Sequence, residues 1–600
     1  MKIPRRGGLL TLGALVLAVA TACGGGHDHH PSDGGGGGGG NAGGGGDGGG
    51  DGGSTPTLPQ LSAAQPAKLV GTCDALATSI AVANTTITSS VQVEANTIVV
   101  SGAPVPAPAH CLVKGQMFPR VGPIDGQSYA IGFEMRLPLD WNGRFFYQAN
   151  GGIDGSVVTA TGGVGGGGPL TNALNMGFAV ISSDAGHAAR MGPTFGIDPQ
   201  ARLDYGYQAV AKLTPMAKEV IRIAYGKGPD RSYFGGCSNG GRHTMVAAAR
   251  SAEQYDGFLV GDPGFRLPLA AIANIKGAQT YAALSPTATD PAGGFTLAER
   301  QLVSNAVLTK CDALDGAADG LVNDTQACRA AFDLNRDVPT CTGARDGSCL
   351  SADQKTSIAQ LFAGATTSTG ERIYSSFPFD AGLATAGWAS WKFSAPLALD
   401  SGAVGMIWQV PPENPATFVG PTFALAGNVD TMLAKVNATD ATYTESAMSF
   451  MTPPDAANLS TLKMRGAKLM VYHGTSDPIF SSDDTQRWYD ELRQANGGDA
   501  SNFARYFAVP GMNHCAGGPA TDQFDMLTPL VAWVEQGSTP DAVTASARGA
   551  GNAGGVNADL PAGWAADRTR PLCPYPKVAR YKGSGDLEKA ESFSCADPSS

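Results

Sequence analysis

Residues 236–240 read Gly-Cys-Ser-Asn-Gly, and the central serine of this stretch, Ser238, is a candidate nucleophile. The G-x-S-x-G pattern places a serine on a sharp turn between a strand and a helix, where its hydroxyl is accessible. Residues 231–235 are strand-like, and residues 242–250 are typical of a helix. Because the turn strains the serine backbone, its neighbours have to be small, and glycine meets that demand. The sequence therefore predicts a nucleophile elbow at Ser238.

A nucleophilic serine needs a base, and the base needs a group that orients it. His514 lies in a glycine-bearing loop after a strand-like stretch, and Asp477 lies in the loop after another such stretch. The order Ser238, Asp477, His514 along the chain is the order found in α/β-hydrolases, so it predicts a catalytic triad. His187 and His473 also end strand-like stretches and are the alternative bases.

The chain has eleven cysteines, and the ten that follow Cys23 are enough for five disulfides. Sequence alone does not fix their pairing, but closeness along the chain favours Cys311–Cys328, Cys341–Cys349 and Cys573–Cys595. A Cys73–Cys111 bridge would clamp the start of the domain. Cys237 and Cys515 remain, and they directly adjoin Ser238 and His514. A working triad would bring them within disulfide range, with Cα atoms about 4.4–6.8 Å apart. No C-x-x-C pair occurs, which disfavours a zinc site.

Taken together, these residues resemble the tannase and feruloyl esterase family, whose hallmark is a Cys-Ser, Asp and His-Cys constellation with a disulfide beside the nucleophile and the base. The resemblance covers most of the chain after residue 65. It extends to residues 141–145, 183–187, 236–242 and 510–515. It implies an α/β-hydrolase core with a large inserted lid domain, and hydrolysis of aromatic esters. The family includes hydrolases of mono(2-hydroxyethyl) terephthalate.

The pattern of the chain itself also indicates a parallel α/β sheet. Short β-rich runs such as residues 144–147 end in glycine-rich loops, and an amphipathic helical pattern covers residues 205–225. After residue 265 the pattern becomes irregular until a strand-like stretch near residue 468 resumes the sheet. We therefore predict a first core segment at 61–265, a lid domain at 266–459 and a second core segment at 460–600.

Two backbone N–H groups are expected to form the oxyanion hole. One is that of Asn239, the residue after the nucleophile. The other is expected from Gly151 or Gly152, because the glycines at this position follow a predicted strand. Relatives usually have a longer glycine run here, and Asn150 departs from it. These glycines could equally serve as turn formers.

Aromatic residues are the candidates for substrate contact, although most aromatics at such spacings belong to a core. Phe480 lies three residues after Asp477, where the resembling terephthalate-monoester hydrolases have an aromatic against the substrate ring. Trp388 and Trp391 in the predicted lid are the further candidates. The stretch 388–440 contains no arginine that could pair with a ring carboxylate. We therefore expect neutral phenolic esters to be preferred over terephthalate monoesters.

Carboxylates are concentrated in residues 312–321, a turn-rich loop whose oxygens suit Ca²⁺. The spacing does not fit an EF-hand, and from the residues alone a solvated acidic turn is an equal interpretation. The family resemblance implies a structural calcium ion, with the Cys311–Cys328 bridge closing the loop around it. The implied ligands are the side chains of Asp312, Asp315 and Asp319 and the carbonyls of Ala317 and Leu321.

Residues 1–23 form a basic start and a short apolar run, typical of a signal peptide, with a small-residue site before Cys23 that resembles a lipoprotein processing site. Ordinary signal cleavage is the alternative. Residues 24–60 are rich in glycine and predict a flexible tether. Lipidation at Cys23 would make the exported protein an outer-membrane or cell-surface lipoprotein; without it the protein would be periplasmic or extracellular.

The sequence as a whole predicts a secreted serine esterase that acts on esters of aromatic, phenolic acids through an acyl-enzyme, without an organic cofactor. Terephthalate-monoester hydrolysis is the alternative within the family. A non-catalytic surface-binding lipoprotein is the alternative from another class, and an intact triad disfavours it. A net charge of −11 speaks against nucleic acid as a partner. The sequence makes no prediction of the oligomeric state.

Overall fold

The computed structural model describes residues 58–100, 103, 105–164 and 170–598. The predicted leader with Cys23 and nearly all of the predicted tether lie outside the described residues. Among the helices of the described part, none combines the length and the apolar character needed to span a membrane.

A nine-stranded mixed sheet forms the centre of the fold, in the spatial order β9-β8-β7-β6-β4-β5-β3-β2-β1. Neighbouring strands from β9 to β5 run parallel, whereas β1, β2 and β3 extend the sheet in antiparallel fashion beside β5. The strand bounds are Thr85–Val93 (β1), His110–Val121 (β2), Ser128–Pro138 (β3), Arg144–Gln148 (β4), Ala179–Ser183 (β5), Arg231–Cys237 (β6), Gly257–Gly261 (β7), Lys468–Gly474 (β8) and Ala504–Val509 (β9).

The burial of each strand follows its place in the sheet. Every residue of β7 and β8 is buried, because helices cover both faces of the parallel part. In contrast, β1 at the sheet edge alternates between exposed and partly buried residues over most of its length. Because β6, β8 and β9 run parallel, their carboxyl ends lie at the same edge of the sheet. The loops with Ser238 and Asp477 emerge from this edge.

The longer helices of the core are Ala209–Tyr225 (α1), Asn239–Arg250 (α2), Ser482–Ala495 (α3) and Leu527–Gln536 (α4). The predicted apolar face of α1 is buried, and the helix ends at Gly226 in a left-handed cap with φ 74°. The predicted helix began at residue 205; residues 204–208 instead form a π-helical turn, Asp204–Gln208. Shorter core helices are Cys73–Ser79 and Pro199–Leu203, with 3₁₀ segments at Ala189–Ile197 and Ala252–Gln254.

The segment between β7 and β8, residues 262–467, is helical and forms the lid of the α/β-hydrolase fold. Its apolar residues pack against Ile479 and Phe480, which belong to the loop after β8, so the lid covers the edge of the sheet where that loop emerges. Its helices are Leu267–Leu284, Leu297–Cys311, Thr325–Ala331, Leu334–Asp337, Ala352–Ala363, Ala386–Ala389, Gly420–Ala426, Val429–Val436 and Ala447–Met451. The last helix before β8, Ser460–Met464, instead packs on the core of the sheet through Leu462. Three π-helical segments, Ser390–Ser394, Pro396–Asp400 and Ala403–Trp408, lie in its middle.

Small sheets complete the fold. One sheet consists of Gln523–Phe524, Val543–Ser546 and Thr569–Leu572. Another consists of Val578–Tyr581 and Phe593–Ala596, and a further pair is formed by Ala67–Lys68 with Asp140–Trp141. The C-terminal segment also contacts the lid, because Arg570 pairs with Asp319 and Arg580 with Asp324.

Within the described residues, five disulfides join the predicted pairs: Cys73–Cys111, Cys237–Cys515, Cys311–Cys328, Cys341–Cys349 and Cys573–Cys595. Disulfides of this number are typical of exported proteins, since the cytosol keeps thiols reduced.

Candidate active site

Ser238 occupies a strained turn between β6 and α2. Its backbone angles are φ 67° and ψ −127°, a region that residues with a side chain rarely adopt. A Cβ atom at Gly236 would lie 2.7 Å from the carbonyl oxygen of Ala149, and one at Gly241 would collide with the carbonyl of Gly261. The glycines are therefore required by close backbone approach, and the strand–turn–helix context expected for Ser238 is present.

The loops after β8 and β9 bring a histidine and a carboxylate to this serine. His514 Nε2 lies 2.8 Å from Ser238 Oγ, and His514 Nδ1 lies 2.7 Å from Asp477 Oδ2. Because the carboxylate accepts from Nδ1–H, Nε2 is left to accept the serine hydroxyl proton. The three side chains thus form one hydrogen-bonded chain that has the geometry of a serine-hydrolase triad.

Asp477 is held in its charged form. Its Oδ1 atom accepts hydrogen bonds from the backbone N–H groups of Ile479 (2.9 Å) and Phe480 (3.1 Å). Burial opposes ionisation of Asp477, but the neighbouring imidazoles of His514 and His473 hold the pKa of its carboxyl below the ordinary value. A carboxylate that stays ionised can orient His514 and stabilise the imidazolium that forms when His514 takes a proton.

His473 and Asp262 form a second buried layer behind the triad; the sequence analysis considered His473 only as an alternative base and gave Asp262 no role. His473 Nε2 donates to the carbonyl of Phe480 at 3.0 Å and lies 3.4 Å from Asp477 Oδ2 and 3.8 Å from Asp262 Oδ1. Burial alone would lower the pKa of His473, but the Asp477 and Asp262 carboxylates raise it above its ordinary value. His473 therefore supports the Asp477 loop and is not placed to act as the base.

The Cys237–Cys515 disulfide ties the nucleophile loop to the base loop, with Cα atoms 6.1 Å apart. Two aromatic rings further fix the imidazole: the ring centroids of Trp391 and Phe480 lie 5.0 and 5.2 Å from that of His514, both in edge-on contact. The orientation of His514 is thus determined by a carboxylate, two rings and a covalent bond at the next residue.

Asn239 and Gly152 line the cavity beside Ser238, as the oxyanion-hole prediction requires. Asn239 is the first residue of α2, so its N–H has no acceptor four residues earlier within the helix. Between Gly151 and Gly152, the lining position favours Gly152, which has φ 71°. Asn150 is turned away, since its amide donates to Ser182 Oγ (2.7 Å) and to the Ser183 carbonyl (2.8 Å), which anchors this loop to β5.

His187 supports the same loop from behind. Its Nε2 lies 2.8 Å from the carbonyl oxygen of Ile153, and its ring stacks on Phe195 with centroids 3.6 Å apart. Burial lowers the pKa of His187 to about 3, so the ring is neutral and donates to this carbonyl. His187 is therefore a neighbour of the oxyanion loop and not an alternative base for Ser238.

A cavity of about 500 Å³ opens in front of Ser238 and His514, between the core and the lid. The predicted substrate contacts Phe480 and Trp391 are among its lining residues, and so is Trp408, which was not a candidate. Trp388 does not line it. Its ring is 3 % exposed and packs edge-on against Phe295 and Phe393, so its predicted substrate contact is replaced by a place in the lid core.

The described lining of this cavity contains no cationic side chain apart from the triad histidine. No lysine or arginine is among its lining residues, all of which belong to the described part of the chain, whereas Asp400 is among them. Burial raises the pKa of Asp400 to about 7, although the amide of Asn274 and the charge of Lys392 favour its ionised form. The wall of the cavity thus offers aromatic surface and a carboxyl group, but no cation.

The acidic loop of the lid is well ordered by its own backbone. Asp312 Oδ1 accepts from the N–H groups of Asp319 (2.9 Å) and Gly320 (3.0 Å), and Asp315 Oδ1 accepts from that of Ala317 (2.9 Å). Asp319 Oδ1 accepts from Leu321 N–H at 3.2 Å. The loop is therefore folded as a compact turn with several carboxylates, two of them, those of Asp315 and Asp319, buried.

The charges in this loop are only partly compensated. Burial and the neighbouring carboxylates raise the pKa of Asp315 to about 6, and the pKa of Asp312 is raised for the same reasons. A cation among these groups would offset both effects, so the donor set fits a hard ion such as Ca²⁺. Asp319 already has a cationic partner, because Arg570 forms a buried ion pair with it.

Among the described residues, two groups of ligand-type side chains have ligand atoms within 4.8 Å of one another, Cys237–Asp262–Cys515 and Asp262–His473–Asp477; the three carboxylates of the acidic loop are, as a group, farther apart than this. The first contains a disulfide, whose sulfurs are not thiolates. In the second, both nitrogens of His473 are engaged, Nδ1 with Thr485 Oγ1 at 2.8 Å and Nε2 with the Phe480 carbonyl. Neither donor set is that of a metal site.

Comparison with known proteins places this arrangement among esterases. The chain is 42% identical over 532 residues to mono(2-hydroxyethyl) terephthalate hydrolase of Piscinibacter sakaiensis, covering 82% of this chain and 85% of that protein. It is 28% identical over 493 residues to a probable feruloyl esterase B of Emericella nidulans, covering 78% and 83%. The crystal structure of feruloyl esterase B from Aspergillus oryzae shares the fold, with a TM-score of 0.69 at 23% identity, covering 87% and 99%.

The family model described as tannase and feruloyl esterase matches residues 111–596, which include the elbow, the lid and the loops that carry Asp477 and His514. This match spans most of the chain, and it agrees with the identity to the curated relatives. The chain therefore belongs to the tannase and feruloyl esterase family.

Proposed function

We propose that the protein is a serine esterase that hydrolyses esters of aromatic, phenolic acids through an acyl-enzyme. The observation that carries the proposal is the hydrogen-bonded chain Asp477–His514–Ser238 at the mouth of an aromatic-lined cavity. A non-catalytic binding protein would not need a nucleophile, base and carboxylate at these distances. Membership of an esterase family supports the reaction class.

In the proposed mechanism, Ser238 Oγ attacks the ester carbonyl while His514 Nε2 takes the hydroxyl proton, and Asp477 stabilises the resulting imidazolium. The N–H groups of Asn239 and Gly152 stabilise the negative oxygen of the tetrahedral intermediate; Gly151 is the alternative second donor. His514 then returns the proton to the leaving alkoxide. Water, deprotonated by His514, attacks the acyl-enzyme, and the acid and free Ser238 are released.

The direct experiment is hydrolysis of a p-nitrophenyl ester by purified protein, followed by a panel of gallate, ferulate, chlorogenate and terephthalate esters. Release of p-nitrophenol by the wild-type protein establishes the esterase, and the panel assigns the acid. A protein that releases no p-nitrophenol, although folded, would contradict the proposal and favour the non-catalytic binding alternative.

Neutral phenolic esters are expected to be hydrolysed better than mono(2-hydroxyethyl) terephthalate, the substrate named for the Piscinibacter relative. A carboxylate on the substrate ring would need a cation, and the cavity presents Asp400 and no arginine or lysine in its described lining. The measurement is kcat/KM for methyl ferulate, methyl gallate and the terephthalate monoester at the same pH. A preference of tenfold or more for the terephthalate monoester, about 1.4 kcal/mol in transition-state stabilisation, would contradict this prediction.

We also propose that Ca²⁺ binds in the acidic loop of the lid, through the side chains of Asp312, Asp315 and Asp319 and the carbonyls of Ala317 and Leu321. Supporting this proposal are the raised pKa values of Asp312 and Asp315, the Cys311–Cys328 bridge beside the loop, and the family resemblance. The ion would contribute to the stability of the lid and would take no part in the reaction.

Chelation of the untreated protein with EGTA is expected to lower its melting temperature before it abolishes turnover, because the loop is separate from the triad loops. Asp315→Asn should lower the melting temperature in the presence of Ca²⁺ and make it insensitive to EGTA. Asp346→Asn, an acidic lid residue outside the loop, is the control and should keep the EGTA response. Elemental analysis that finds no calcium in the untreated protein would refute the site.

For localisation we propose lipidation of Cys23 after export, with residues 24–60 as the tether between the lipid and the folded domain. The support is the small-residue site before Cys23 and the basic, apolar leader. Mass spectrometry of the N-terminal peptide from membrane fractions tests it, and a peptide that starts at an unmodified residue after Cys23 would exclude the anchor.

A further inference from the structure

We propose that Asp380, a buried residue of the lid, is a positioning residue for the esterase reaction, because its carboxylate joins the loop of Asp477 to the loop of His514. The proposal rests on the proposed function, since it adds a residue outside the triad and its oxyanion hole to the same reaction. Asp380 is not among the described residues that line the substrate cavity, so it acts through the two loops and not on the substrate.

One carboxylate oxygen of Asp380 bonds to both catalytic loops. Its Oδ2 atom accepts from the hydroxyl of Thr475, two residues before Asp477. The same atom accepts from the backbone N–H of Gly511, three residues before His514, at 3.1 Å. The Gly511 N–H also lies 3.0 Å from Thr475 Oγ1, so the three groups close a ring of hydrogen bonds. Asp380 is 1 % exposed, so water competes little for these bonds.

The carboxylate is itself fixed in the lid. Its Oδ1 atom accepts from the N–H of Ala381 at 2.7 Å, which caps the 3₁₀ turn Ala381–Ala384. This turn is attached to the lid helix Leu297–Cys311, because Ser304 Oγ donates to the carbonyl of Ala381 at 3.0 Å. The bonds from Thr475 and from the two backbone N–H groups all donate to the carboxylate, so they favour its ionised form and oppose the rise in pKa that burial causes.

The same turn approaches the aspartate loop at a second residue. The N–H of Gly382 donates to Ser476 Oγ at 3.0 Å, and Ser476 directly precedes Asp477. A Cβ atom at position 382 would lie 2.5 Å from that oxygen and 2.6 Å from Ser476 Cβ, so glycine allows this close approach. The turn therefore holds two consecutive residues of the aspartate loop, and the Asp380 carboxylate extends this support to the histidine loop.

The Asp380 bonds lie just beyond the end of the sheet. The parallel pairing of β8 with β9 ends at Gly474 and Val509. Backbone bonds also join the two loops directly beyond this point, such as that from the Ser476 N–H to the Met512 carbonyl at 3.0 Å. Asp380 adds to them a connection with the lid, which fixes both loops from a third side.

The consequence concerns the hydrogen bonds of the triad. His514 has to lie between Ser238 and Asp477, at the observed 2.8 and 2.7 Å, for the serine proton to be transferred. A displacement of about 1 Å can cost on the order of 10²-fold in rate. A residue that fixes the relative position of the two loops therefore affects the chemical steps more than the binding of substrate.

The test is steady-state hydrolysis of p-nitrophenyl acetate, measured well below the melting temperature of each variant. Asp380→Ala should lower kcat at least about fivefold, because both loop contacts are lost. KM should change by less than about twofold, because Asp380 lies outside the cavity. Asp380→Asn keeps an acceptor oxygen for Thr475 and Gly511 and should recover part of the lost turnover.

The matched control is Tyr443→Phe. The Tyr443 hydroxyl donates to the carbonyl of Ile197 at 2.8 Å, which is a hydrogen bond between lid and core away from the catalytic loops. Its loss should leave kcat close to the wild type. Thr475→Val breaks the Asp380 contact from the other side, so the double variant of Asp380→Ala with Thr475→Val should be little slower than the slower single variant.

Near-normal kcat in Asp380→Ala, multiplied losses in the double variant, or an equal loss in Tyr443→Phe would overturn the positioning role while leaving the esterase intact. If Asp380→Ala does not fold, Thr475→Val decides: a lowered kcat with an unchanged KM supports the role, and a normal kcat overturns it. If the folded wild-type protein does not hydrolyse p-nitrophenyl acetate, the proposed function fails, and the role of Asp380 fails with it.

Discussion

Ser238→Ala is expected to lower kcat on a p-nitrophenyl ester by on the order of 10⁴-fold or more, with an unchanged fold. The reason is that the acyl-enzyme cannot form without the hydroxyl that His514 Nε2 contacts at 2.8 Å. His514→Ala should cost a similar factor, because the same proton transfer is lost. The measurement is single-substrate kinetics on proteins whose melting temperatures match the wild type.

Two buried carboxylates near His473 allow a sharper version of this test. Asp477→Asn should lower kcat strongly, because an amide cannot hold the Nδ1–H tautomer of His514 as a carboxylate does. Asp262→Asn is the matched comparison, since Asp262 contacts the Gly474 N–H at 2.7 Å and not His514. A larger loss in Asp262→Asn than in Asp477→Asn, or near-normal turnover in Ser238→Ala, would show that the assignment of the triad is wrong.

Replacement of Cys237 and Cys515 by alanine is expected to reduce both stability and turnover. The bridge closes a loop with a sequence separation of 278 residues, and its loss should lower the free energy of unfolding by up to about 5–6 kcal/mol in the chain-entropy account. It also joins the residues next to the nucleophile and the base, so its removal lets Ser238 and His514 drift apart. Even a shift of about 1 Å can cost 10²-fold in rate. We expect kcat to fall at least about tenfold, measured well below the melting temperature of the variant.

The control for this experiment is the lid bridge Cys341–Cys349, whose residues are only eight apart in sequence. Replacing both of these cysteines removes a disulfide without touching the triad loops, so turnover should stay close to the wild type. Peptide mapping that found a free thiol at Cys237 or Cys515 in the native protein would refute the structural role. Equal turnover in the two double variants would show that the bridge does not position the triad.

Features encoded by local pattern were predictable from the sequence. The nucleophile elbow needs glycines on both sides of Ser238, and their spacing is visible in one stretch of the chain. The chain order of serine, aspartate and histidine was predictable because each residue follows a strand. These strands, β6, β8 and β9, are parallel and end at the same edge of the sheet. Membership of the tannase and feruloyl esterase family and the α/β-hydrolase fold with a lid are confirmed. The five predicted disulfide pairs are present. Four of them join cysteines that are 8 to 38 residues apart, and Cys237–Cys515 joins the two triad loops.

The substrate cavity was less predictable, because it depends on how the lid packs. The prediction for Trp388 was wrong, whereas Trp391 three residues later lines the cavity. The stretch from Ser390 to Trp408 is largely π-helical, so its side chains do not follow the 3.6-residue period on which a helical face is judged. That departure from the α-helical period helps to bring Asp400 and Trp408 to the cavity wall, while the sequence pattern gave neither residue a role in the site.

By itself, the sequence determined the reaction class, because a nucleophile, a base, an orienting carboxylate and the cysteines beside them are marked by short motifs and by chain order. The tertiary structure decided which groups face the substrate and which support the triad from behind. His473 lies on β8, and Asp262 directly follows the adjacent strand β7. His187 contacts the oxyanion loop through the carbonyl of Ile153, and sequence spacing reveals none of these contacts. The physical reason is that burial and hydrogen bonding depend on the packing of segments that are hundreds of residues apart in sequence. A sequence motif, in contrast, reflects only the local conformation of one short segment.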